Sequence, residues 1–93
     1  MTRDKEEQRT MTKFDLSVLL ALNHNRADTS SAAMSISQIL SLMDATQRKS
    51  YSTAYRHLNE LVKIGYIKCG LLDGLASTYY IVENGKTFCK AHN

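Results

Sequence analysis

Apolar residues along this chain recur first at helical spacing and then at strand spacing, and the change of period falls at Gly65. Phe14, Val18, Ala21 and Leu22 share one face at about 100° per residue, and Leu16, Leu19 and Leu20 widen it into a surface buried on two sides. Ile36, Ile39, Leu40 and Met43 form a second, shorter stripe. A third segment, 50–64, is the most one-sided. Ala54, Leu58, Leu61 and Val62 face one way, joined by Tyr51 and flanked by Tyr55, while Ser52, Arg56, Asn59, Glu60 and Lys63 face the other with Thr53 beside them. Beyond Gly65 the segments 66–69 and 77–82 are rich in aromatic and β-branched residues, and the stretch 70–76, with Asp73-Gly74 inside it, is the turn of a hairpin.

The boundaries follow from capping chemistry. Thr12 and Asp15 are spaced as a box that caps the first helix, which runs out at Asn23-His24-Asn25. Residues 26–33 lack periodicity and read as a loop, with a short strand possible at Met34. Ser35 and Gln38 form the clearest box in the chain, and Met34 and Ile39 occupy staple positions around it; this helix ends near Asp44. Ser50 is the best cap for the third helix, with Thr46 as a rival one turn earlier, and Gly65 supplies the positive φ that closes it. Asn84-Gly85 ends the second strand, and 86–91 carries Phe88 into the core on a last helical turn or two. Residues 1–12 read as a polar, mixed-charge extension and 13–93 as one α+β domain: a three-helix core, a two-stranded β-hairpin and a short C-terminal helix.

Composition narrows the function more than the fold. Ninety-three residues, 43% of them hydrophobic, make one folded domain that is small for an enzyme with a deep pocket. There is no glycine-rich phosphate loop, no pair of carboxylates at catalytic spacing and no serine elbow, so neither an enzyme nor a cofactor is expected. No apolar run approaches the ~20 residues that span a bilayer, and the charged start lacks a signal-peptide core, so the expected location is cytoplasmic. Cys69 and Cys89 then read as reduced, packed thiols. Cys89 and His92 have a C-x-x-H spacing, with His24 as a distant third group, but the second close pair of a structural zinc site is missing.

Charge adds a location. Net charge is only +3, yet residues 44–68 hold five cations (Arg48, Lys49, Arg56, Lys63, Lys68) against Asp44 and Glu60, and the remainder holds seven of each sign. From Arg48 to His57 there is no acid at all, while Ser50, Ser52 and Thr53 offer hydroxyls. On charge alone this is either a helix start that approaches a polyanion closely or a solvated face that happens to be basic.

Three stretches, Ser52-Thr53-Ala54-Tyr55-Arg56-His57-Leu58-Asn59-Glu60-Leu61, Gly65-Tyr66-Ile67 and Tyr79-Tyr80-Ile81-Val82-Glu83-Asn84-Gly85-Lys86, resemble the winged helix-turn-helix domains of bacterial transcription regulators, especially the MarR-like and PadR-like groups. The resemblance covers Phe14 to Ala91 and implies a recognition helix in the major groove with the hairpin as a wing along an adjacent groove. On that frame Arg56 suits a guanine edge, Ser52 and Thr53 a base or a phosphate, and Ser50, Arg48 and Lys49 phosphates. His57 reads as packed or partly exposed, and Tyr51 and Tyr55 as core or core-edge. The expected partner is double-stranded DNA, bound by a homodimer, since one helix reads too few base pairs alone. The chain departs from the family in three places: the connection 44–49 is long, the terminal dimerisation helices are reduced to residues 1–13 and 86–93, and the wing tip carries three leucines with no Arg or Lys. Leu71 and Leu75 either fold back on their own core or, with Leu72, meet a partner. The second outcome would suit an interaction module in a replication, conjugation or transcription assembly.

Overall fold

The structure, a computed structural model, describes residues 11–92, so nearly all of the polar N-terminal extension lies outside the described residues. Helix α1, Lys13–His24, begins with the expected reciprocal cap: the Asp15 amide donates to Thr12 Oγ1 at 3.1 Å and the Thr12 amide donates to Asp15 Oδ2 at 3.0 Å. Phe14, Val18, Leu19 and Leu22 are buried along it, while Leu16, Leu20 and Ala21 are only partly covered. The helix closes on Arg26 at φ 55, with the Ala27 amide reaching back to the Leu22 carbonyl at 2.9 Å and the Arg26 amide to the Asn23 carbonyl at 3.2 Å. That pair of bonds satisfies the last carbonyls and drops Ala27 into the core.

The stretch read as an aperiodic loop contains a 3₁₀ turn, Ser30–Ala32, capped by the Thr29 side chain. Strand β1, Met34–Ser35, follows and leads into α2, Ile36–Ser41. Ser35 and Gln38 cap α2 reciprocally, at 3.2 and 2.9 Å, and Ile36, Ile39 and Met43 are buried as their spacing predicts. Helix α3, Tyr51–Lys63, is capped by Ser50, not by the rival Thr46. It ends as α1 does: the Tyr66 amide donates to the Leu61 carbonyl and the Gly65 amide to the Val62 carbonyl, both at 3.0 Å, with Gly65 at φ 85. Arg26 accepts the same left-handed conformation at some strain, whereas glycine does so freely.

Strands β2, Ile67–Cys69, and β3, Thr78–Ile81, pair antiparallel in the register Ile67↔Ile81, Lys68↔Tyr80 and Cys69↔Tyr79. Strand β1 adds to the other edge of β3, with Met34 opposite Tyr79, so the sheet order is β1-β3-β2 and the hairpin gains a third strand. Ile67, Tyr79 and Ile81 complete the core with Ala54, Leu58 and Leu61 of α3. Helix α4, Glu83–His92, then packs across α1.

Two expectations fail in α4. Asn84-Gly85 lies in its first turn and does not form a loop, because the helix starts directly after β3. Gly85 is needed there for proximity: a Cβ would lie 2.4 Å from the Tyr66 carbonyl oxygen and 2.7 Å from Ile81 Cγ1. The side chain that α4 buries fully is Cys89, while Phe88 is partly covered between Tyr66 and His92. Lys86 Nζ joins α4 to the loop after α1 through Asp28 Oδ2 at 2.9 Å. The whole is a winged helix: three core helices, a three-stranded antiparallel sheet whose hairpin projects as the wing, and a closing helix.

Candidate nucleic-acid interface

Helix α3 is held on its inner face and one flank and left open elsewhere. Ala54, Leu58 and Leu61 point into the core. On the α1 flank, His57 Nδ1 lies 2.8 Å from Oδ1 of the fully buried Asp15, and the His57 ring meets the Phe14 ring edge-on with centroids 5.0 Å apart. On the opposite flank, facing the sheet, Tyr51 and Tyr55, read from sequence as core or core-edge, are 53% and 44% exposed. Tyr79 of β3, close to both, is buried in the core. Burial first, then the neighbouring Cys69, Tyr55 and Tyr51 groups, push its hydroxyl up from 10.0 to about 12. The outward face carries exposed Ser52, Arg56 and Lys63, with Asn59 and Glu60 partly covered.

The residues singled out by sequence divide into free and engaged groups. The Arg56 and Ser52 side chains are exposed on the outward face. The Ser50 hydroxyl accepts the Thr53 amide at 3.3 Å and donates to Thr53 Oγ1 at 3.0 Å, so these two hydroxyls organise the helix start. Arg48 uses Nη2 to bond the Met43 carbonyl at 2.8 Å, and its amide, like that of Gln47, closes on the Asp44 carbonyl. Lys49 Nζ sits 5.7 Å from the centre of the Phe14 ring. The long connection is thereby an ordered turn whose two cations are anchored by one contact each and otherwise face solvent. All five cations of the 44–68 stretch are exposed, and Glu60, 3.8 Å from Lys63, offsets one of them.

The wing is fixed at its root and bare at its tip. Gly70 passes so near the 3₁₀ turn that a Cβ would lie 2.4 Å from Ala33 Cβ; the Leu71 amide donates to the Ser30 carbonyl at 3.1 Å, and the Thr78 hydroxyl donates to the Leu71 carbonyl. Asp73 and Ala76 exchange two backbone bonds of 3.0 Å around Gly74 at φ 64. The leucines do not fold back: Leu71, Leu72 and Leu75 are 62%, 67% and 100% exposed.

Other chemistry is sparse. Among the described residues no three His, Cys, Asp or Glu side chains converge on a possible metal position, and no helix is long and apolar enough to cross a membrane. His92 bonds the Phe88 carbonyl at 3.0 Å. Burial pushes the Cys89 thiol up, whereas Cys69 is exposed at the end of β2.

No family model matches the chain, and no curated protein does. Solved structures do. TubR from Bacillus megaterium pBM400 superposes with a TM-score of 0.70 over 94% of this chain and 91% of that one, at 25% identity. The DNA-binding TubR fragment from Clostridium botulinum, a solution structure, gives a TM-score of 0.62 over 96% and 95% at 22% identity. Both likenesses run the length of the domain. The winged helix-turn-helix reading therefore holds, while the finer MarR-like or PadR-like placement finds no counterpart among these neighbours.

Proposed function

We propose that this chain is a sequence-specific, double-stranded-DNA-binding transcription regulator that places α3, with its cap at Ser50, in the major groove. One observation carries the reading. The outward face of α3 and the turn before it form an acid-free, solvent-exposed surface from Arg48 to Arg56, on a fold shared with a protein described as DNA-binding. The likeness supplies the frame, and the exposed cations and hydroxyls supply the reason to use it on a polyanion. Arg56 reads a guanine edge from the groove-facing side, and Ser52 reads a base or holds a phosphate beside it. Arg48 and Lys49 hold phosphates with their solvent-facing charge. Ser50 and Thr53 set the start of the helix so that its free amides meet the backbone. Two copies related by a two-fold axis would double this contact set on a palindromic site.

The test is fluorescence anisotropy with a random duplex at about 50 and 200 mM salt, across which phosphate-contacting proteins lose affinity by orders of magnitude. Binding that falls steeply with salt and weakens on Arg56→Ala supports the reading. Absence of binding at either salt overturns it.

A second reading is favoured by the wholly exposed Leu75 with Leu71 and Leu72 beside it: the wing tip is a docking surface for a protein partner or a second copy. Leu72→Asp should then leave the melting temperature unchanged and lower the oligomer mass seen by light scattering; an unchanged mass removes the leucines from any self-association.

A further inference from the structure

The flank of α3 that faces the wing carries two half-exposed tyrosines. Tyr51 and Tyr55 lie one helical turn apart on the same side, 53% and 44% exposed, and among the described residues neither hydroxyl has a hydrogen-bond partner. Nearby Tyr79, by contrast, is buried in the core. Tyr55 adjoins Arg56 in sequence and, at about 100° per residue, sits between the buried stripe and Ser52. A helix in the major groove that turns Arg56 and Ser52 to the base edges therefore turns the Tyr55 ring towards the same floor. The apolar group that floor offers is the C5-methyl of thymine. A phenol ring suits it: a flat apolar surface with few rotatable bonds and a polar tip that can stay hydrated.

We infer that the Tyr55 ring, braced by Tyr51 one turn before it, packs on a thymine methyl group beside the base pair that Arg56 meets, and so fixes a thymine in the preferred site. The inference rests on the DNA-binding reading above and adds to it an apolar contact that none of the cations and hydroxyls supplies.

The experiment begins by selecting the preferred site from a random duplex pool with the full chain. Each thymine of the selected site is then replaced by deoxyuridine, which removes the methyl group alone. Affinities are measured for the native chain, Tyr55→Ala and Tyr55→Phe at one salt concentration. One deoxyuridine position should weaken the native chain by about fourfold, the factor expected for one buried methyl group. The same replacement should leave Tyr55→Ala unaffected and weaken Tyr55→Phe as it does the native chain, because the ring and not the hydroxyl makes the contact. A selected site without thymine preference, no sensitive deoxyuridine position, or an undiminished loss in Tyr55→Ala each overturns the inference. Those outcomes leave salt-dependent binding to random duplex standing, whereas absence of any duplex binding by the native chain overturns the DNA-binding reading itself.

Discussion

The two flanks of α3 have been built to opposite ends. Towards α1 the helix is locked by an imidazole against a buried carboxylate and by a ring against a ring: His57 on Asp15 at 2.8 Å and on Phe14 at 5.0 Å between centroids. Towards the wing, two tyrosine side chains stand about half in solvent. The difference shows how a small domain can hold a helix firmly on one flank while leaving the other open. One flank and the inner face set its position, and the other flank and the outward face are free to meet a partner.

The comparison breaks most completely when the inner face is removed. Leu58→Ala deletes a fully buried side chain between α3 and the sheet and should lower unfolding stability by roughly 2–5 kcal/mol, measured by urea denaturation. A loss below about 1 kcal/mol would mean that α3 is not seated by this core. The two flanks separate next. His57→Ala deprives the buried Asp15 of a hydrogen-bond partner and should destabilise the fold by about 1–3 kcal/mol. Tyr55→Ala should change stability by no more than about 0.5 kcal/mol, as at other exposed positions away from special features. Equal effects in parallel melts would erase the distinction between a locked and an open flank.

The smallest effect concerns the Asp28–Lys86 pair, which joins α4 to the loop after α1 at the half-exposed rim. The hydrogen bond from the Lys86 side chain, and then its charge, holds the Asp28 carboxyl below the usual 3.8. A carboxyl with a depressed folded-state value contributes its full share above the unfolded value and loses it as pH falls through the folded one. Acid titration of the melting temperature should therefore show a small extra drop below about pH 4 that is absent in Asp28→Asn. Identical acid limbs in the two proteins would show that the pair contributes nothing.

The same contrast separates what was legible in the chain from what was not. The caps at Thr12, Ser35 and Ser50 and the stop at Gly65 are as the sequence predicts. Each is a hydrogen bond or a backbone angle settled within four residues, so its cause is local. The polar face of α3 was legible for the same reason, as a property of one helix's own period. The positions of Tyr51, Tyr55 and Phe88 were misread because burial depends on what lies opposite. The flank holding Tyr51 and Tyr55 resembles a core edge in sequence, and of the three neighbouring tyrosines only Tyr79 of the central strand is buried. No local signal could announce that.

By itself, the sequence determined the order of the helices, the caps at Thr12, Ser35 and Ser50, the stop at Gly65, the strand pair, the acid-free start of α3 and the excess charge around it. Tertiary structure alone decided the rest. It added β1 to the sheet through pairing with Tyr79 and Thr78, and it required a glycine at position 85 because the Tyr66 carbonyl leaves no room for a Cβ. It also joined His57 to Asp15 across 42 positions and left the wing leucines in solvent. The physical reason is one of range: hydrogen bonds along a helix are written in neighbouring residues, whereas contact and exposure are set where distant segments meet.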